Sequence, residues 1–164
     1  MTAGRDAVVA AALRCFAAKG FAGTTIVDIE TEAGLSPGAG GTYRHFKSKR
    51  AILEAAVAEV LARTDEQVAP QPETLKDAAR TALAGMDELR DLTRLLLRDI
   101  DQFPELFEPV IDRLIEGPYR IAARRMAAVA PALDTEALAT LLVGSLVNVK
   151  AIEALAGRRP GSVT

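Results

Sequence analysis

Apolar residues along this chain recur at three- and four-residue spacing, and no stretch alternates apolar with polar. Val8, Val9, Ala12, Leu13 and Phe16 trace one helix face, and Leu138, Leu141, Leu142, Ser145, Val149 and Ile152 trace another near the end. A half-buried strand needs a period of two, so this pattern confines the chain to an all-α architecture. The prevalence of Ala and Leu adds intrinsic helix preference.

Caps and breakers divide the pattern into helices. The first runs over about residues 5–19 and closes at Gly20, with Phe21 placed for a C-terminal hydrophobic contact. Thr25 and Asp28 form a capping box for a short helix with Ile26 and Ile29 inward, ending at Gly34. Ser48 caps a long helix to about Val68, which "APQP" breaks. Thr74 and Asp77 start the next, followed by helices over about 91–102 and from Pro104, with a kink or restart at Gly117-Pro118. Asp134 caps a last helix to about Ala156. Eight or nine helices result.

At 164 residues and 49% hydrophobic content the chain can bury a sizeable core. The single Cys15 excludes a disulfide framework and suits a reducing compartment. The N-terminus lacks a signal-peptide apolar region, and the longest apolar run, Leu138–Val149, falls short of the roughly 20 residues of a membrane helix. A soluble, cytoplasmic protein is expected. Net charge is −2, but its distribution is uneven: residues 1–50 hold seven Lys/Arg against four Asp/Glu (+3), and residues 51–164 hold thirteen against eighteen (−5). Arg44, His45, Lys47, Lys49 and Arg50 cluster without an acid. That is either a DNA-reading head on an acidic body or a solvated charged face.

A helix, a tight turn at Gly34-Leu35-Ser36 and a short helix ending in basic and aromatic residues make a helix-turn-helix. The segment Phe16–Leu53 resembles the DNA-binding domain of the tetracycline-repressor (TetR) family, through F-x-x-K-G-F, the T-T cap, D-I-x-x-x-A-G-L-S and Y-x-H-F-x-S-K. The resemblance implies a three-helix DNA-binding domain over 1–50 and a helical ligand-binding and dimerisation domain over 51–164. It implies DNA contacts from Thr25, Ser36, Gly38, Ala39, Gly41, Thr42, Tyr43 and His45, with Lys49 on a phosphate, and a core of Phe16, Phe21, Ile26, Ile29, Leu35 and Phe46. The expected molecule is a ligand-responsive regulator, a repressor, binding a palindromic operator as a homodimer with half-sites roughly 34–36 Å apart.

Leu83, Met86, Leu96, Phe103, Phe107, Ile111, Tyr119 and Met126 are the expected lining of a mostly apolar effector pocket, with Arg98, Asp99, Gln102 and Asn148 as polar anchors. The family's last two helices pack with a partner's pair, whereas here "GRRPGSVT" follows residue 156; either the dimer uses other surfaces or this chain is shorter than the functional molecule. Two alternatives stand beside this reading. One is a similar fold that binds a ligand or protein without DNA. The other is an all-α enzyme, for which Asp99 and Asp101 are a poor start, since residues two apart on a helix face different ways. No cofactor and no metal are expected; a lone His45 with Cys15 on an inner helix face makes no ligand set.

One departure concerns the turn itself. The commoner family pattern sets Ser and Tyr five residues apart, and here Ser36 and Tyr43 are seven apart. Two residues added within a helix would rotate its two ends by about 200° relative to each other. The extra pair must therefore be absorbed locally, for which Gly38, Gly40 and Gly41 provide the freedom. A regular helix over about Gly41–Phe46 is expected after a distorted turn over Ser36–Gly40, whose amides could donate to phosphate. The alternative is a harmless loop insertion.

Overall fold

The computed structural model describes residues 3–38, 40–66 and 74–157. Eight α-helices account for most of them: α1 Ala3–Gly23, α2 Ile26–Glu32, α3 Lys49–Glu66, α4 Leu75–Glu88, α5 Arg90–Asp99, α6 Pro104–Ile111, α7 Gly117–Val129 and α8 Thr135–Ala156. Among the described residues there is no strand. The expected caps form: Ser48 Oγ accepts from Ala51 N–H, Thr74 from Asp77 N–H and Asp134 from Ala137 N–H. Each satisfies a helix-start donor that has no partner within its own helix.

Two compact units emerge, Met1–Val68 with Asp91–Leu106, and Ala69–Arg90 with Phe107–Thr164. Contacts thus group α3 and residues 91–106 with the N-terminal helices, whereas the boundary read from the sequence falls after residue 50. The reason is burial: Ile52, Leu53 and Val57 of α3 and Leu92 and Leu95 of α5 are buried in this unit with Val8, Ala12 and Phe16 of α1 and Ile29 of α2. Side chains of this size each contribute about 1.5–3 kcal/mol when fully buried.

Gly20 interrupts α1 with φ 76° and ψ 168°. Phe21 then turns inward, 5.5 Å from Phe16 and edge-on at 4.7 Å to Phe103. The backbone groups freed at this break find partners on α5: Phe21 N–H donates to Asp99 Oδ2 (3.2 Å), and Arg98 Nη1 donates to the Ala18 carbonyl (2.9 Å). Arg98 and Asp99, expected as polar anchors for an effector, are engaged in closing α1.

In the second unit Phe107, Val110, Ala139 and Ala154 are buried. The Lys150 ammonium, also buried, donates to Asp87 Oδ1 (2.6 Å) and Glu153 Oε2 (2.7 Å), and these carboxylates raise its pKa above the usual lysine range. The expected break at Gly117-Pro118 is a π-helical turn, Asp112–Glu116, with Gly117 N–H returning to Asp112 C=O. Pro118 has no N–H to continue an α-helical ladder there. By length and composition α8 as a whole is apolar enough to cross a membrane, against the expectation that no segment would be. Its buried Lys150 and Glu153 form an ion pair inside this unit.

Candidate nucleic-acid interface

Thr25 caps α2 as expected. Its hydroxyl accepts from Asp28 N–H (3.1 Å), and Asp28 Oδ2 takes both the Thr25 N–H (2.8 Å) and its hydroxyl (2.7 Å). The two Thr25 donors expected to meet phosphate are therefore already engaged. The three carboxylates of α2 are all satisfied locally. Asp28 pairs with Lys19 (2.5 Å) and Glu32 with Arg14 (2.7 Å). The Lys19 ammonium and the Thr25 donors hold the Asp28 pKa well below the usual carboxylate range.

The third carboxylate, Glu30, is only 1% exposed. Its Oε2 accepts the Gly38 N–H at 2.7 Å and its Oε1 the Thr42 N–H at 3.4 Å, while its main-chain carbonyl accepts Leu35 N–H at 2.8 Å. The Gly38 amide lowers its pKa most, against the effect of burial. Gly38 and Gly40 both take positive φ, 77° and 72°, a region closed to most side chains. The glycines absorb the two extra residues as expected, but the Gly38 amide faces a carboxylate of this chain rather than a phosphate.

The reading element itself is shorter than the helix expected over Gly41–Phe46. A single 3₁₀ turn covers Thr42–Arg44, with Phe46 N–H reaching Thr42 C=O (3.0 Å). Gly41 is right-handed helical (φ −58°). Thr42, expected at the DNA, is completely buried, because its amide is drawn toward Glu30. Tyr43 (60% exposed), Arg44 and His45 face outward, as do Ser36 and Gly38 on the preceding loop. Ala39 lies outside the described residues. Phe46 is buried, with the Arg5 guanidinium 5.5 Å from its ring centroid.

The basic cluster is divided. Lys49 Nζ donates to the carbonyls of Phe21 and Thr24 (2.7 Å each) and sits 4.4 Å from the Phe21 ring centroid. It ties the start of α3 to the link between α1 and α2, and one of its three N–H groups remains. Arg50 pairs with Glu54 (2.9 Å) and Glu105 (2.5 Å) and lies 5.3 Å from the Phe103 ring centroid. Arg44 and Lys47 are exposed. The expected effector residues fall in both units: Leu96 and Phe103, both buried, in the first, and Leu83, Met86, Phe107, Ile111, Tyr119 and Met126 in the second.

Glu30 was not singled out from the sequence. Its signal was there: with Ile26 and Ile29 inward, position 30 completes an i, i+3, i+4 face, so a carboxylate points into the core. An inward acid needs donors, and the over-long glycine turn eight residues on has unpaired amides.

Residues 8–56 match the family model described as bacterial regulatory proteins, tetR family. The chain is 34% identical over 104 residues to the uncharacterized HTH-type transcriptional regulator YerO of Bacillus subtilis, an alignment covering 58% of this chain and 35% of that protein. The chain thus spans about a third of the length of that curated relative. Among solved structures the fold is similar to a Clostridium perfringens protein described as a fatty acid metabolism regulator (TM-score 0.62, 22% identity, 94% of this chain and 89% of that one). It is also similar to GusR of Salmonella enterica (TM-score 0.53, 23% identity, 95% and 87%). YerO and the Clostridium perfringens protein are both described as regulators. The helix-turn-helix, with its outward Tyr43 and His45, lies within the segment that matches the tetR family of bacterial regulatory proteins, and the chain as a whole shares the fold of these solved structures.

Proposed function

We propose that this chain is a ligand-responsive transcriptional repressor that binds a palindromic DNA operator as a homodimer in the cytoplasm. Residues 1–50 read DNA, and residues 51–164 dimerise and take up a small, mostly apolar effector. The observation that carries the reading is the outward row Tyr43, Arg44 and His45 on the turn where the family places its reading element. Ser36, Gly38 and Gly41 flank it, and the free N–H of Lys49 takes a phosphate. The effector works by its differential affinity for two arrangements of the C-terminal helices, one of which spoils half-site spacing.

Support for dimerisation comes from α8, where Leu141 is 67% and Leu155 71% exposed. Apolar side chains of this size are rarely left in contiguous exposed patches on a monomer. A second reading, a TetR-like module that binds ligand or protein without DNA, draws on the brevity of the reading element, one 3₁₀ turn. A gel shift of the 164-residue chain on the DNA upstream of its own gene separates the two. A retarded band competed by unlabelled operator and not by random duplex supports the repressor. Absence of any retarded band leaves the second reading.

A further inference from the structure

We propose that Glu30 is the positioning residue of the reading turn: by holding the amides of Gly38 and Thr42, its carboxylate sets where Tyr43, Arg44 and His45 stand against the duplex, and so sets operator preference without touching DNA. This rests on the DNA-binding reading above.

A recognition helix ordinarily holds its own shape through i→i−4 bonds. Here that ladder is reduced to one turn, and the loop before it has left-handed backbone at Gly38 and Gly40. An outside anchor must replace the ladder, and Glu30 is built into that place. It holds the entry of the turn through its main-chain carbonyl to Leu35 (2.8 Å), the middle through Gly38 (2.7 Å) and the exit, more loosely, through Thr42 (3.4 Å). A buried carboxylate is costly unless donors surround it, and these donors are main-chain amides of the turn itself. Carboxylate and turn therefore form one device, in which the acid fills a backbone concavity of the kind that elsewhere holds an external anion. Shortening the turn by the two extra residues removes the need for the acid.

The test compares the full chain with Glu30→Ala, Glu30→Gln, and Glu30→Ala combined with deletion of Ala39 and Gly40. The probes are a duplex that the unmodified chain selects from a random-sequence pool, and a random duplex of equal length. The readout is the ratio of the two Kd values at fixed salt. Glu30→Ala is expected to lower that ratio about tenfold or more with little change on random DNA, because backbone contacts position the protein while base contacts specify. The deletion is expected to restore most of the ratio. Glu30→Gln, which keeps the size but turns one acceptor into a donor against an amide, is expected to fall between, and it decides the matter if Glu30→Ala does not fold. An unchanged ratio in Glu30→Gln and in a folded Glu30→Ala, or no rescue by the deletion, overturns the inference. If the unmodified chain selects no duplex, the DNA-binding reading itself fails.

Discussion

The carboxylate of Glu30 receives the backbone N–H of Gly38 at 2.7 Å across eight residues of sequence, and this bond closes the turn between α2 and the reading element. It joins an inward-facing acid on a helix to a glycine with φ 77°. Neither residue would be placed this way without the other. The acid would keep only the longer bond from Thr42, and the turn would lack its closest anchor.

Acid should loosen this region first. The folded pKa values of Glu30 and Asp28 lie below their unfolded values, so their contribution is fully present above pH of about 4.3. It is lost as pH falls through the depressed folded values. Urea midpoints measured between neutral pH and the acid limit should therefore drop on acidification. Glu30→Gln should flatten the drop, and an equally steep fall in that variant would remove Glu30 as a cause.

The turn glycines should respond according to φ. Gly38→Ala and Gly40→Ala meet no neighbouring atom, so each should cost only the left-handed penalty, about 1–2 kcal/mol. Gly41 is already helical and an added Cβ would stand 3.8 Å from Leu35 Cδ1, so Gly41→Ala should be neutral or stabilising by about 0.4–1 kcal/mol. Gly20→Ala should cost most, because its Cβ would stand 2.9 Å from Arg98 Cδ as well as being left-handed. Denaturant unfolding of the four variants gives the order directly; equal losses at Gly38 and Gly41 would contradict it.

Lys49→Ala should weaken the fold as well as DNA binding. Two carbonyls lose a charged donor, worth about 1–3 kcal/mol in all. If the remaining N–H meets a phosphate, the slope of log affinity against log salt should also fall by about one unit. A variant with unchanged thermal stability would show that the two carbonyl bonds carry no weight. An unchanged salt slope would leave Lys49 as a purely internal clamp.

Leu141→Glu should dissociate the proposed dimer, since it puts a charge on the exposed apolar side of α8. Sedimentation velocity at micromolar concentration should show a dimer for the unmodified chain and a monomer for the variant, with matching helical circular dichroism. A dimer that survives the substitution would move the interface away from α8.

Much of this molecule is written in local patterns. The helix-start caps at Thr25, Ser48, Thr74 and Asp134 and the break at Gly20 depend on residues only a few positions apart, so periodicity and capping chemistry reveal them. The need for left-handed glycines in the turn comes from counting residues against a helical repeat. Partners far apart in sequence are beyond that reach. That Lys49 turns back to Phe21 and Thr24, and that Arg98 and Asp99 close α1, depends on which elements pack together. Nothing in a charge run distinguishes a lysine facing solvent from one capping a carbonyl. Thr42 points inward and Tyr43 outward for the same reason: a buried carboxylate on α2 draws one amide of the turn and thereby orients the whole of it. Local sequence settles where helices start and stop because their hydrogen bonds close within four residues. Only the folded chain assigns the donors and acceptors left over at their ends, since those must be matched across space.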